Sequence, residues 1–129
     1  MTTTLPSKLA HNAATKADGI WLTSPETGQA VNWAQAQHTI QDIVSYLHQL
    51  GLRPGEPVAI AAQNCIASAL LFTAITSAGY LGTPLNLVSG TKAISYVLSH
   101  CQAKVLFCTP ENNALMDEVL SESQDEILI

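Results

Sequence analysis

No charged residue occurs between Glu56 and Lys92. A stretch of that kind either crosses a membrane or lies inside a protein, so it constrains the fold before any other feature does. Spanning the hydrocarbon takes about 20 predominantly apolar residues. Here Gln63, Asn64, Ser68, Thr73, Thr76 and Ser77 interrupt the apolar run, and Gly79, Gly82 and Pro84 follow it. The stretch therefore reads as a buried strand, Pro57-Val58-Ala59-Ile60-Ala61-Ala62, and a buried helix from Cys65 to Ala78. The strand shows no polar alternation, as expected where both faces are covered. The helix is apolar nearly all round and must be covered on most sides.

Covering matters because charge is scarce. The 129 residues are 47% hydrophobic but only 12% charged, against about 25% charged in average soluble domains. That length allows one domain, and the apolar fraction excludes disorder. A normal core with so little charge points to part of something larger. The chain finishes Glu126-Ile127-Leu128-Ile129, which starts like a fourth parallel strand with nothing to cross back. A strand of that kind needs neighbours on both faces, so the polypeptide is expected to continue in its parent protein.

Around the uncharged stretch the elements alternate. Residues 1–18 are rich in Thr, Ala and Asn and read as an N-terminal arm with one short helix. Ile20-Trp21-Leu22-Thr23 and Gln29-Ala30-Val31 flank a turn containing Pro25 and Gly28, which predicts a β-hairpin. Asn32 with Gln35 three positions later forms a capping-box pattern opening a helix to about Leu50. Ala36, Ile40, Ile43, Val44, Leu47 and Leu50 make its apolar stripe, and Gly51 supplies the left-handed terminator. Asn64 is the expected cap of the apolar helix and Ser89 the cap of the next, which carries Ile94, Val97 and Leu98. Strands are expected at Leu81 to Leu85 and at Lys104 to Cys108, with a last helix over about Asn112 to Leu120. Strands alternating with helices predict an α/β fold, a mainly parallel doubly wound sheet with flanking helices, preceded by the hairpin.

Charge and cysteine placement exclude several roles. Lys8, Lys16, Arg53, Lys92 and Lys104 are scattered singly, so no cluster exists to neutralise successive phosphates, and nucleic acid is excluded as a partner. Six of the ten acids, Glu111, Asp117, Glu118, Glu122, Asp125 and Glu126, gather at the end of the chain. Met1 is followed by three Thr with no basic start to an apolar segment, so no secretory signal is expected and the location is read as cytoplasmic. Cys65, Cys101 and Cys108 form no C-x-x-C pair and read as reduced core thiols. His100 beside Cys101 does not make a metal site, because adjacent helical residues point about 100° apart and no second pair completes four ligands.

The patterns that would place chemistry on this sheet are missing. Neither G-x-G-x-x-G nor G-x-x-x-x-G-K-[ST] occurs, nor the nucleophile elbow G-x-S-x-G. His38 and His48 lie on the polar side of the capped helix, where no carboxylate or hydroxyl partner is expected, so they read as solvated surface. Trp21 and Trp33 read as packing between hairpin and helix rather than the floor of a ligand site.

A series of segments nevertheless resembles one family. Val31-Asn32-Trp33-Ala34-Gln35-Ala36 is similar to the box that opens the first long helix of the adenylate-forming enzymes, the superfamily of acyl-CoA synthetases, aryl-CoA ligases, luciferases and peptide-synthetase adenylation domains. Asn32, Gln35 and Ala36 depart from its usual hydroxyl, acid and Leu. Leu50-Gly51-Leu52-Arg53-Pro54-Gly55-Glu56-Pro57-Val58-Ala59-Ile60 resembles the family's L-G-[VI]-x-P-G-D-x-V-A-[IL] run, and Gln63-Asn64 resembles its P-N. Ile75-Thr76-Ser77-Ala78-Gly79-Tyr80-Leu81-Gly82-Thr83-Pro84-Leu85-Asn86 is similar to its early A-G-[AG]-x-x-x-P-[LI]-[ND] motif. Ile94 to Cys101 followed by Lys104-Val105-Leu106-Phe107 resembles the helix and strand that come next.

The resemblance implies ATP-dependent activation of a fatty or aryl carboxylic acid to an acyl-adenylate, then transfer to coenzyme A. It makes residues 19–129 the N-terminal portion of the large AMP-binding domain, ending before the phosphate loop. ATP, Mg2+ and coenzyme A are implied for the full-length protein and none for this segment, whose partner would be the remainder of the parent enzyme. No catalytic, cofactor-binding or metal-binding residue is carried over, so the chain alone is expected to be inactive. The alternative is a stand-alone, non-catalytic α/β interaction or regulatory module. Such a module would unfold cooperatively as a monodisperse species, whereas a piece of a larger domain would expose apolar area beyond about a few hundred Å².

Overall fold

The computed structural model describes residues 3–121. The chain divides into two compact units: the described residues up to Leu52 with Asn64–Gly79, and Arg53–Gln63 with the described residues from Tyr80 on. The fourth strand expected at Glu126 to Ile129 lies outside the described residues.

The first unit begins with helix α1, Leu5–Thr15, within the segment expected as an arm. Thr4 caps it: its hydroxyl accepts the Ser7 N–H at 3.2 Å and the Ser7 hydroxyl accepts the Thr4 N–H at 2.9 Å. Leu9 and Asn12, three residues apart on one face, are buried. Strands β1, Ile20–Thr23, and β2, Ala30–Asn32, form the expected antiparallel hairpin. Its pairing jumps from Ile20↔Asn32 to Leu22↔Val31, leaving Trp21 as the extra residue of a bulge. Helix α2, Trp33–Gln49, opens with the predicted capping box, Asn32 Oδ1 accepting the Gln35 N–H at 2.8 Å and Gln35 Oε1 the Asn32 N–H at 3.1 Å. Gly51, at φ 75°, terminates it in the left-handed region that favours glycine.

Helix α3, Ile66–Ser77, completes this unit. Its cap is Cys65, not Asn64. Cys65 holds the extended backbone that a cap requires, its Sγ accepts the Ser68 N–H at 3.5 Å, and Ser68 Oγ accepts the Cys65 N–H at 3.0 Å. Polar residues are tolerated in this apolar helix because Thr73 and Thr76 donate to the carbonyls of Ala69 and Phe72, at 2.7 and 2.9 Å. Leu9 of α1, Ala36 and Ile40 of α2, and Leu70 and Ala74 of α3 form the unit's buried cluster.

The second unit holds three parallel strands, β3 (Pro57–Ala61), β4 (Leu81–Pro84) and β5 (Val105–Cys108), in the order β4-β3-β5. The first strand is central, so successive connections run in opposite directions across the sheet. This is the α/β class expected from the sequence. Helices α4, Thr91–Cys101, and α5, Asn113–Ser121, bury Ile94, Leu98, Met116 and Val119 in one cluster with Ala59, Ala61 and Leu106. Ser89 does not cap α4. The cap position is Gly90, whose φ of 94° an L side chain rarely adopts, and the Ser89 hydroxyl donates to the Asn86 carbonyl at 2.7 Å instead.

Candidate functional site

Open parallel sheets bind ligands outside the carboxyl ends of their strands. In the second unit that end is braced by polar contacts around one carbonyl. Ala61 O receives the Thr109 N–H at 3.2 Å, the Thr109 hydroxyl at 3.4 Å and the Asn112 amide at 3.4 Å. Asn112 Nδ2 also donates to Thr109 Oγ1 at 2.8 Å, which fixes the 3-10 turn Pro110–Asn112 and leads the chain into α5. The sequence does not single out Thr109 or Asn112, although Thr and Asn flanking Pro110 are turn-forming residue types. After β4, Asn86 Oδ1 accepts the Val88 N–H at 3.3 Å, closing that loop on itself.

These neutral groups already hold their own loops. A triphosphate with magnesium calls for cationic or N–H donors on phosphate and carboxylate oxygens on the metal, and Thr109, Asn112 and Asn86 do not fit it. Beside them, burial pushes the Cys108 thiol up, and the charges of Glu111 and Asp117 push it further. A thiol held in its protonated form is a poor nucleophile.

In the first unit a cleft of about 270 Å³ lies between the hairpin turn and the start of α3. Leu22, Ser24, Glu26, Asn64, Cys65 and Ile66 are among its lining residues. Cys65 is exposed there, contrary to the core position expected of it. Its thiol is engaged as the helix cap, and the Glu26 carboxylate accepts the Ser24 hydroxyl at 3.3 Å. That arrangement orders the hairpin turn and the start of α3 without pairing a nucleophile and a base.

Two ring pairs and one exposed ion pair involve the aromatic and imidazole groups. Trp21 and Trp33 stack with centroids 4.6 Å apart and planes 10° from parallel, joining hairpin to α2 as expected. His38 Nε2 lies 3.5 Å from Asp42 Oδ2, with both side chains largely exposed. The sequence reading allowed His38 no carboxylate partner, yet Asp42 stands one helical turn away, at the spacing where helical side chains meet. His100 stacks on exposed Tyr96 at 5.7 Å, whereas Cys101 donates to the Leu98 carbonyl and packs against the second unit's core, so the two neighbours do not converge on a metal. Among the described residues no three His, Cys, Asp or Glu side chains gather to hold a metal ion, and no helix is long and apolar enough to cross a membrane.

Comparison with known proteins supplies what this scaffold does not. The sequence model of the family described as AMP-binding enzyme matches residues 9–129. The chain is 26% identical over 120 residues to a sulfoacetate–CoA ligase of Cupriavidus necator, covering 93% of this chain and 24% of that protein. It is 31% identical over 85 residues to a feruloyl-CoA synthase of Amycolatopsis, covering 66% of this chain and 17% of that one. Its fold superposes on a Mycobacterium tuberculosis fatty acyl CoA synthetase with a TM-score of 0.84 at 20% identity, over 97% of this chain and 26% of that one. The chain thus spans about a quarter or less of the length of these relatives. Its sequence, matched from the first helix onward, belongs to the AMP-binding enzyme family.

Proposed function

We propose that this chain is the opening scaffold of an ATP-dependent acid–CoA ligase, with residues 19–129 the first portion of its large domain. The parent enzyme activates a fatty or aryl carboxylic acid as its acyl-adenylate, using ATP and Mg2+, and transfers the acyl group to coenzyme A. The segment itself contributes strands, caps and core. The observation that carries this reading is the family match over residues 9–129 together with relatives named as CoA ligases and synthases. Ile20 and Phe72 in the first unit and Leu81, Val88 and Tyr96 in the second are large apolar side chains left exposed, which fits units that further polypeptide covers. Cys65, Cys101 and Cys108 are all free thiols, which fits a reducing compartment such as the cytoplasm.

ATP–pyrophosphate exchange with a panel of carboxylic acids tests the assignment of chemistry to the rest of the enzyme. The isolated chain should give no exchange above background, and a longer protein carrying it should turn over with at least one acid. Exchange by the 129 residues alone would refute the reading.

A further inference from the structure

The three-stranded sheet of the second unit has two outer edges, β4 and β5, and they are unlike. Along a strand in a parallel sheet, successive N–H groups point alternately to the two sides within the sheet. The Leu81 and Leu85 N–H groups donate to the Glu56 and Ile60 carbonyls at 3.0 and 2.9 Å, which turns Gly82 and Pro84 outward on β4. Pro84 has no N–H, so that edge offers an incoming strand a broken row of donors. On β5 the Thr109 N–H donates to the Ala61 carbonyl at 3.2 Å, which turns the N–H groups of Leu106 and Cys108 outward. No proline, glycine or charge interrupts Val105-Leu106-Phe107-Cys108, and Val105 and Leu106 are buried. Such a strand lacks the features with which sheets blunt a true border.

Handedness fixes where the chain goes next. Helix α4 leads from β4 past β3 to β5, and α4 and α5 pack in one cluster with Ala59, Ala61 and Leu106, so both cover the same face. Crossovers between parallel strands are right-handed almost without exception. With α5 on the face that α4 occupies, a parallel strand following α5 must continue in the direction from β4 to β5, which places it beyond β5. The lengths agree. The nine residues of α5 span about 14 Å, close to the roughly 13 Å of a four-residue strand, so α5 returns the chain to the amino end of β5. Residues 122–125 then remain as the connection, within the usual length of about 2–6 residues.

We propose that the outer edge of β5 docks Glu126-Ile127-Leu128-Ile129 of this same chain as a fourth parallel strand. Lys104, at the amino end of β5, sets the register by charge. Glu126 lies beside it on the side away from Glu56, which puts Ile127, Leu128 and Ile129 beside Val105, Leu106 and Phe107. Leu128 then shares with Leu106 the face that α4 and α5 cover. The inference does not depend on the acid-activating role proposed above, and its test uses no acid activation.

Amide hydrogen exchange of the full 129-residue chain, followed in proton–nitrogen correlation spectra, reads the docking. The outward amides of Leu106 and Cys108 should be protected, and Leu128→Pro should speed their exchange by about tenfold or more. The Val105 and Phe107 amides, which face β3, should keep their protection in that variant, showing that the sheet itself stays folded. Nuclear Overhauser contacts in the unmodified chain, which need no variant, should join Leu106 to Leu128. Exchange at Leu106 and Cys108 unchanged by Leu128→Pro would overturn the proposal. So would contacts from Leu128 to Gly82 on the other edge, the absence of any contact to Leu106, or protection that grows with protein concentration and marks a second copy as the occupant.

Discussion

The Lys104 ammonium lies 3.1 Å from Glu56 Oε1, tying together the amino ends of the parallel strands β5 and β3. The other carboxylate oxygen, Glu56 Oε2, accepts the Arg53 N–H at 2.9 Å and so also closes the turn before β3. These contacts, the Arg53 N–H first and Lys104 second, hold the Glu56 carboxyl below its ordinary 4.5. A carboxylate whose folded value is depressed contributes stability above its unfolded value and loses it as pH falls through the folded one. Wild type should therefore exceed Glu56→Gln in urea midpoint at neutral pH, with the gap closing as pH drops below about 4. A gap unchanged down to strongly acidic pH would show that the carboxylate charge plays no part.

The stacked indoles of Trp21 and Trp33 carry the joint between hairpin and helix. Both are half-buried against the first unit's core, so Trp21→Ala should cost about 2–4 kcal/mol, somewhat less than a fully buried tryptophan. Loss of the exciton couplet in far-ultraviolet circular dichroism would accompany it. Retention of the couplet in Trp21→Ala would place its origin elsewhere.

Asn32 closes α2 with one side-chain oxygen on the Gln35 N–H. Replacing it with Ala should destabilise by about 1 kcal/mol, and Asn32→Ser should recover most of that, because Ser caps comparably. Chemical denaturation of the three proteins side by side gives the comparison. An Ala variant as stable as wild type would mean that the cap adds nothing beyond water.

The thiols should separate by reactivity. Cys65 is exposed, whereas Cys101 and Cys108 are half-buried and Cys108 is held protonated by burial. A colourimetric disulfide reagent should label Cys65 first in the native chain, with the other two reacting slowly until denaturant is added. Labelling of Cys108 should quicken as pH rises, since burial first, then Glu111 and Asp117, hold its thiol above the ordinary value of 9.0. Three equal rates in the native chain would contradict the burial seen here.

What was legible in the sequence is what is local or periodic. The cap at Asn32 needs only Gln35 three residues on, and the left-handed end of α2 needs only Gly51. The same three-residue rule applied to Cys65 and Ser68 would have found the cap of α3, but a thiol is an uncommon cap and Asn64 drew the assignment. Ser89 lost its role to Gly90 because the backbone there turns to positive φ, which no side-chain preference at Ser89 reports. His38 and Asp42 stand one helical turn apart and were within reach of the same reasoning.

The order of elements and the parallel sheet follow from periodicity and spacing, which depend on a few neighbouring residues. Tertiary structure alone decided that Glu56 meets Lys104 across 48 residues, that Asn112 reaches the Ala61 carbonyl across 51, and that Ser77 is left without a partner. Each of those outcomes depends on where distant backbone comes to rest. A hydrogen bond or an orphaned hydroxyl is set by separations of a few tenths of an ångström, which sequence spacing does not encode.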